Sequence, residues 1–404
     1  MATTITAGNA TNGAAISSDN TGILELKSGT GSGTTAVTVS TGQNVTFAQA
    51  ANLPNTFGFK NRIINGAMVI DQRNAGASVS LSTGSLAYPV DRSGAIITQG
   101  SGHTGQRSTV APAGFVNSLL ITVGTGASPT AGQISRIYQG IEGVNVADLG
   151  WGTANAQTIT LSFWVRSSLT GTFAGGVYNG DSNRTYVFTY SISSANTWEQ
   201  KTVTIAGDTS GSWNTGNGAG MYVNWDLGTG STYQGTAGVW AAGAAWATSG
   251  SVKLAATSGA TFYITGVQLE KGSTATSFDY RPYGTELQLC QRYYYRMTSV
   301  GIASTFAVGF NDSTTSCVGT TFFPVTMRTA PSALEQTGTA GDYRVRVTAA
   351  NSITCSAVPA IASVGTTSYS VVTTFTVASG LTAGQGAFLQ AVNATAYLGW
   401  SAEL

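Results

Sequence analysis

Catalysis needs an acid, a base or a nucleophile held against a partner. His103 is the only histidine in 404 residues, so any Ser–His, Cys–His or histidine–metal arrangement would have to be built on it. It lies in the glycine-rich run QGSGHTGQ, which predicts a solvated loop, and no G-x-S-x-G elbow accompanies it. Paired carboxylates are the other route, because glycosidases place two across the scissile bond. The 17 acids are thinly spread. Asp71 stands two residues from Arg73 and Asp91 adjoins Arg92, which reads as structural ion pairing. Asp181, Asp208 and Asp226 fall in Gly/Ser/Asn turns, where Asp bonds its own backbone. A polysaccharide depolymerase would normally show the short repeats of a β-helix, and residues 61–285 show none. The chain is therefore read as a non-enzyme with no catalytic residue, the depolymerase standing third among its readings.

Binding has more material. Sugar C–H faces stack on aromatic rings while hydroxyls pair with short polar side chains. Between Ser212 and Trp246 the aromatics Trp213, Tyr222, Trp225, Tyr233, Trp240 and Trp246 alternate with Asn214, Asn217, Asn224, Asp226 and Gln234. Trp213, Tyr222, Trp225, Asp226, Tyr233 and Trp240 are the glycan-binding candidates. Trp164 and Arg166 join them from the outward face of one strand, where a glycan or a neighbouring subunit could be the contact. Core or inter-subunit packing is the competing role for every tryptophan here.

The elements that must hold these residues are strands. Charged residues make up 9% of the chain, far below the usual quarter, yet aromatics reach 10% with eight Trp, which argues against disorder. Short Thr/Val/Tyr/Phe runs between Gly-rich turns predict an all-β fold. Thr158–Arg166, TITLSFWVR, is the cleanest strand, with Ile159, Leu161, Phe163 and Val165 inward. In Thr185–Ile192, Tyr186, Phe188, Tyr190 and Ile192 share one face. Thr261–Glu270 changes its apolar phase at Gly266, from Phe262 and Ile264 to Val267 and Leu269, the mark of a β-bulge. Low charge with abundant β structure suits chains that bury strand faces between copies.

Net charge is +1 with no Lys/Arg cluster, so no nucleic-acid partner is expected. The most apolar window, Gly235 to Gly250, is too short to insert in a membrane. MATTITAGNATNG lacks the pattern of a signal peptide. Cys290, Cys317 and Cys355 are odd in number and widely spaced, and are read as buried free thiols of a protein made in a reducing cytoplasm.

Four parts are expected. Residues 1–56 form a thin β-segment, too poor in apolar residues for a core of its own and expected to wind with copies of itself. Residues 57–284 form a jelly-roll β-sandwich. Pro282 stiffens the exit, and residues 285–296 form a connecting helix capped by Thr285. Residues 297–404 form a second β domain, with a hairpin turning at Asn311–Thr314. The consecutive tyrosines Tyr293, Tyr294 and Tyr295 cannot all face one core, so at least one must meet the second domain or another chain.

GVQLEKGSTATSFDYRPYGTELQLCQRYYYR (266–296), NRIINGAMVIDQRN (61–74) and YPVDR (88–92) resemble segments of tail-fibre and related appendage proteins of tailed bacteriophages, over roughly residues 55–300. YLGWSAEL at 397–404 resembles their closing strand. The strand series FWVR, RTYVFTYSI, NTWEQKTVTI, TFYITGVQLE is similar to carbohydrate-binding-module-like jelly rolls. The resemblance implies a virion location, a homotrimer, docking to other virion proteins through residues 1–56, and attachment to host surface polysaccharide. A capsid-bound fibre, decoration or adaptor protein without receptor binding is the alternative. Sugar modules of this shape often carry a structural calcium, for which Glu142, Asp148 and Asp279 are conceivable ligands; no other cofactor is implied.

Overall fold

The computed structural model describes residues 3–7, 14–18, 24–28, 34–39, 45–47, 59–81, 84–362 and 365–404. The protein is nearly all β, with 41% strand and 7% helix. It divides into two units, residues 1–56 and 57–404.

In the first unit, strands Thr3–Ala7, Ala14–Ser18, Leu24–Ser28, Thr34–Val39 and Val45–Phe47 pair in chain order as an antiparallel meander. The register sets Ile5, Ile16, Leu26, Val37 and Phe47 in one row across the five strands. Within the chain these five strands pair with one another. The rest of 1–56, including the apolar residue Ile23, lies outside the described residues.

The second unit begins with a sandwich of two sheets. Its front sheet has seven strands, with Ser135–Glu142 and Ala219–Asp226 side by side and Gly171–Asn179 and Arg184–Ile192 beyond them. The six-stranded back sheet is centred on Ile159–Ser167 and Thr261–Lys271. Strict alternation puts Ile159, Leu161, Phe163 and Val165 in the core with Phe188, Tyr190, Val223 and Leu269. The bulge lies where the phase changed. Ser162 pairs with Gln268 and Trp164 with Thr265, so Gly266 and Val267 oppose Phe163 alone. Gly266 has φ +60, and a Cβ there would fall 2.6 Å from the Phe115 ring, so the position needs glycine.

The helix starts earlier and ends sooner than its sequence suggested. It runs Tyr283–Gln291, with Pro282 rather than Thr285 at its N-cap. β-favouring residues then take over, and Tyr294–Thr298 pairs with the closing strand Tyr397–Ser401. The three tyrosines have three destinations. Tyr293 joins Ile64, Ile70 and Cys290 in a small separate core. Tyr294 lies under the Arg73 guanidinium, 3.5 Å from the ring centre, and Tyr295 stacks on Trp400 in the last core.

That last core fills a second sandwich. A three-stranded sheet (Tyr294–Thr298, Tyr397–Ser401, Ala333–Glu335) faces a seven-stranded one that includes Tyr343–Arg346, Gly386–Ala391, Thr305–Asn311, Ser316–Phe322 and Ser370–Thr376. Thr305–Asn311 and Ser316–Phe322 form the expected hairpin. Between the sandwiches lies a buried ionic layer. Arg92, 2% exposed, donates to Glu403 and to the Gly140 carbonyl and sits 3.4 Å above the Tyr293 ring. Arg73 lies between the Tyr88 and Tyr294 rings and reaches Glu335 and Glu403 at 3.3 Å.

His103 departs from expectation. It is fully buried, with Nε2 2.6 Å from the Gln99 carbonyl and Nδ1 accepting from the Gly124 amide. The glycine-rich loop folds back over the ring, and the histidine serves as a hydrogen-bonded core residue. All three cysteines are free and buried. Among the described residues no helix is long and apolar enough to cross a membrane, which says nothing of a β-barrel.

Candidate functional site

The eight candidates separate into five places. Trp225 is 3% exposed and packs on Phe163 at 5.6 Å in the main core. It occupies an inward position of Ala219–Asp226, so no glycan can reach its face; this corrects its assignment. Asp226 is 0% exposed. Its Oδ1 accepts from the Gly228 and Thr229 amides at 3.1 and 2.7 Å, and its Oδ2 from the Ser251 hydroxyl. Burial raises its pKa, opposed by nearby Lys253. Asp226 therefore organises the turn after its strand and is likewise removed from the contact set.

Tyr222, on the outer face of the front sheet, and Tyr233 belong to an aromatic stack that closes on an arginine. Tyr222 stacks on Tyr178 at 4.9 Å, Tyr178 meets Trp246 at 5.9 Å, and Trp246 stacks on Tyr233 at 4.7 Å. Arg136 stands 4.1 Å from the Trp246 ring centre and donates to the Tyr178 hydroxyl at 3.0 Å. Tyr178 and Trp246 are buried, so the protein's own guanidinium takes up the faces that a sugar would need. Burial raises the pKa of the Tyr178 and Tyr222 phenols, with Arg136 opposing, and both stay neutral.

Trp164 and Arg166 lie half-buried on the outer face of the back sheet. Arg166 stands 5.0 Å from the Tyr263 ring centre and donates to the Asn196 carbonyl at 2.8 Å. Trp164 flanks the Gly266 bulge beside Phe115. This pair belongs to the opposite sheet from the other candidates.

Trp213 and Trp240 come together, and with them a residue the sequence did not single out. Trp151 packs edge-to-face on Trp213 at 4.7 Å and on Trp240 at 5.2 Å, and Trp213 meets Trp240 at 5.6 Å. Each indole N–H is tied to backbone: Trp151 to Gln157, Trp240 to Ala206, Trp213 to Ser210, at 2.7, 2.8 and 3.3 Å. Trp151 is 7% exposed, so the half-buried Trp213 and Trp240 are the rings with surface to offer. Trp213 and Trp151 border a cleft of about 200 Å³ floored by Val146, Leu149 and Met221 and edged by Thr153, Asn214 and Thr215. No ionisable side chain lines it. The 3-10 turns Gly143–Asn145 and Ala147–Leu149 position its floor, and the Gly216 amide, donating to Asn214 Oδ1 at 2.7 Å, shapes its rim. An aromatic wall, an apolar floor and short neutral polar groups at the edge suit one pyranose ring.

No protein-family model matches the chain, and no curated protein matches it. Solved structures do. The enzymatically active domain of bacteriophage CBA120 tailspike protein 4 is 12% identical with a TM-score of 0.28, over 53% of this chain and 22% of that one. The family 11 carbohydrate-binding module from Clostridium thermocellum, bound to a β-1,3-1,4-mixed-linked tetrasaccharide, is 9% identical with a TM-score of 0.26, over 50% and 99%. The CBM22-1 xylan-binding domain from Paenibacillus barcinonensis is 9% identical with a TM-score of 0.21, over 50% and 99%. These matches assign no family.

The three calcium candidates are otherwise engaged. Glu142 accepts two bonds from Arg292 at 2.7 and 2.8 Å, Asp148 two from Arg62 at 2.6 and 2.8 Å, and Asp279 one from the Asn61 amide at 3.2 Å. The Arg62 hydrogen bond lowers the Asp148 pKa. Among the described residues no three His, Cys, Asp or Glu side chains are grouped to hold a metal.

Proposed function

We propose that this protein is a glycan-binding structural component of a tailed-phage appendage, a tail fibre that attaches the virion to host surface polysaccharide. The cleft walled by Trp213 and Trp151 carries this reading. Its indole N–H groups are satisfied internally, which fixes the rings; buried Trp151 backs the half-buried Trp213 ring, which is left for C–H stacking, while Thr153, Asn214 and Thr215 stand where hydroxyls would be met. On this reading the chain binds and does not cleave. The segments 61–74 and 266–296, which resemble phage appendage proteins, support the virion location. Residues 1–56 would dock on other virion proteins.

One such cleft gives a weak site. Three copies on a rigid homotrimer would raise avidity through effective concentration. The test is binding of the purified chain to host cells and extracted polysaccharide, with Trp213→Ala beside the wild type. Binding by the wild type and its loss in a folded variant is the expected result. Failure of the wild type to bind would leave the capsid-bound fibre, decoration or adaptor role. Release of new reducing ends would restore the depolymerase.

A further inference from the structure

We infer that the outer face of the large sheet in the second sandwich is where copies of this chain pack on one another. The inference takes its partner from the homo-oligomeric reading above and does not involve the glycan cleft. Val308, Phe310, Phe322 and Phe388 are 61%, 52%, 72% and 46% exposed. They share one side of one sheet. Val308 pairs with Phe388 on one neighbour and with Thr320 on the other, and Phe310 pairs with Val318. Phe322 follows Thr320 by two residues, so it points the same way. A continuous exposed patch of this kind marks an interaction surface rather than the scattered apolar residues of an ordinary exterior.

Size and charge favour a second copy over other occupants. The five longer strands of the sheet span about 24 by 22 Å, roughly 500 Å² in projection before side-chain relief. That approaches the ~800 Å² per partner of a stable protein interface. Its centre is apolar and its margin polar, as in such interfaces. The charged side chains on this face are Arg344 and Arg346, whose register places them in line with Gln390 and Phe388. Among the described residues neither has a carboxylate partner; Arg344 bonds Gln390, Arg346 bonds the Thr348 carbonyl, and Arg344 Nε is buried without a partner. Asp312, exposed at the hairpin tip of the same sheet, has no cationic partner among the described residues. Two unpaired arginines at one margin and an unpaired aspartate at one end are complementary between copies. A lipid surface would call for a basic cluster around the apolar face, and net charge is +1.

The test is the mass of the full chain in solution by sedimentation. The wild type should run as a multiple of 41.3 kDa at micromolar concentration. Phe310→Lys with Phe388→Lys should run as a monomer with an unchanged circular dichroism spectrum. Val300→Lys with Ile302→Lys, at positions 95% and 73% exposed outside the sheet, should leave the mass unchanged. Asp312→Arg should weaken association, and adding Arg344→Asp and Arg346→Asp should restore it. A monomeric wild type, or a sheet-face variant that keeps the wild-type mass, would overturn the inference. So would a monomeric wild type that co-sediments with anionic vesicles. None of these readouts depends on glycan binding, so either reading can fail alone.

Discussion

Replacing Glu403 by Gln should destabilise the protein by about 3–5 kcal/mol, the penalty for leaving a buried guanidinium without its counter-charge. Arg92 is 2% exposed, and Glu403 is the carboxylate that it contacts. Arg73 loses less, because Glu335 remains at 3.3 Å. The two arginines also carry the packing between the sandwiches through Tyr88, Tyr293 and Tyr294. The double variant Arg92→Met with Glu403→Leu should recover most of the loss, since apolar groups of similar volume replace a buried pair at little net cost. Urea unfolding at pH 7 of the wild type, Glu403→Gln and the Arg92→Met, Glu403→Leu double variant measures both effects. A loss below about 1 kcal/mol for Glu403→Gln, the worth of an exposed pair, would refute the claim that this layer is dry and tightly coupled.

Other predictions rest on single sites. Burial pushes the Asp91 carboxyl up to about 6 from its ordinary 3.8, with Arg73 opposing. The folded state then binds a proton that the unfolded state does not. Asp91's contribution is complete below pH 3.8 and is lost as pH rises through about 6, a swing on the order of 3 kcal/mol. Asp91→Asn should flatten the corresponding part of the stability–pH curve; an unchanged curve would exclude this titration. Gly266→Ala should cost about 2–4 kcal/mol by combining left-handed backbone strain with displacement of Phe115, read as a fall in Tm. Trp225→Ala should cost about 3–5 kcal/mol as a core cavity, whereas Trp213→Ala should abolish glycan binding with a smaller loss of Tm. Equal stability losses for the two tryptophans would contradict their different placements. Cys290 is fully buried and its thiol is raised well above the ordinary value by desolvation, so it should react with a thiol reagent only on unfolding.

Sequence alone determined the features that depend on local periodicity. Alternation in Thr158–Arg166 fixes which side chains enter the core, because side chains along a strand point to opposite faces in turn. The phase change at Gly266 marks the bulge for the same reason, and Pro282 marks the approach to the helix through its steric effect on Arg281. Tertiary structure decided everything that depends on distance along the chain. Trp213 and Trp225 look alike in sequence, yet one walls a cleft and the other lies in the core. The difference is that Trp225 sits in a paired strand with its parity inward, while Trp213 sits in the loop before that strand. Trp151, some sixty residues earlier, reaches Trp213 only because the two sheets close over one core. His103 stands in a run that reads as solvated, and folding buries it under backbone partners that no local pattern specifies. The cleft is therefore a product of packing, drawn from residue types that the sequence displayed and from neighbours that it did not.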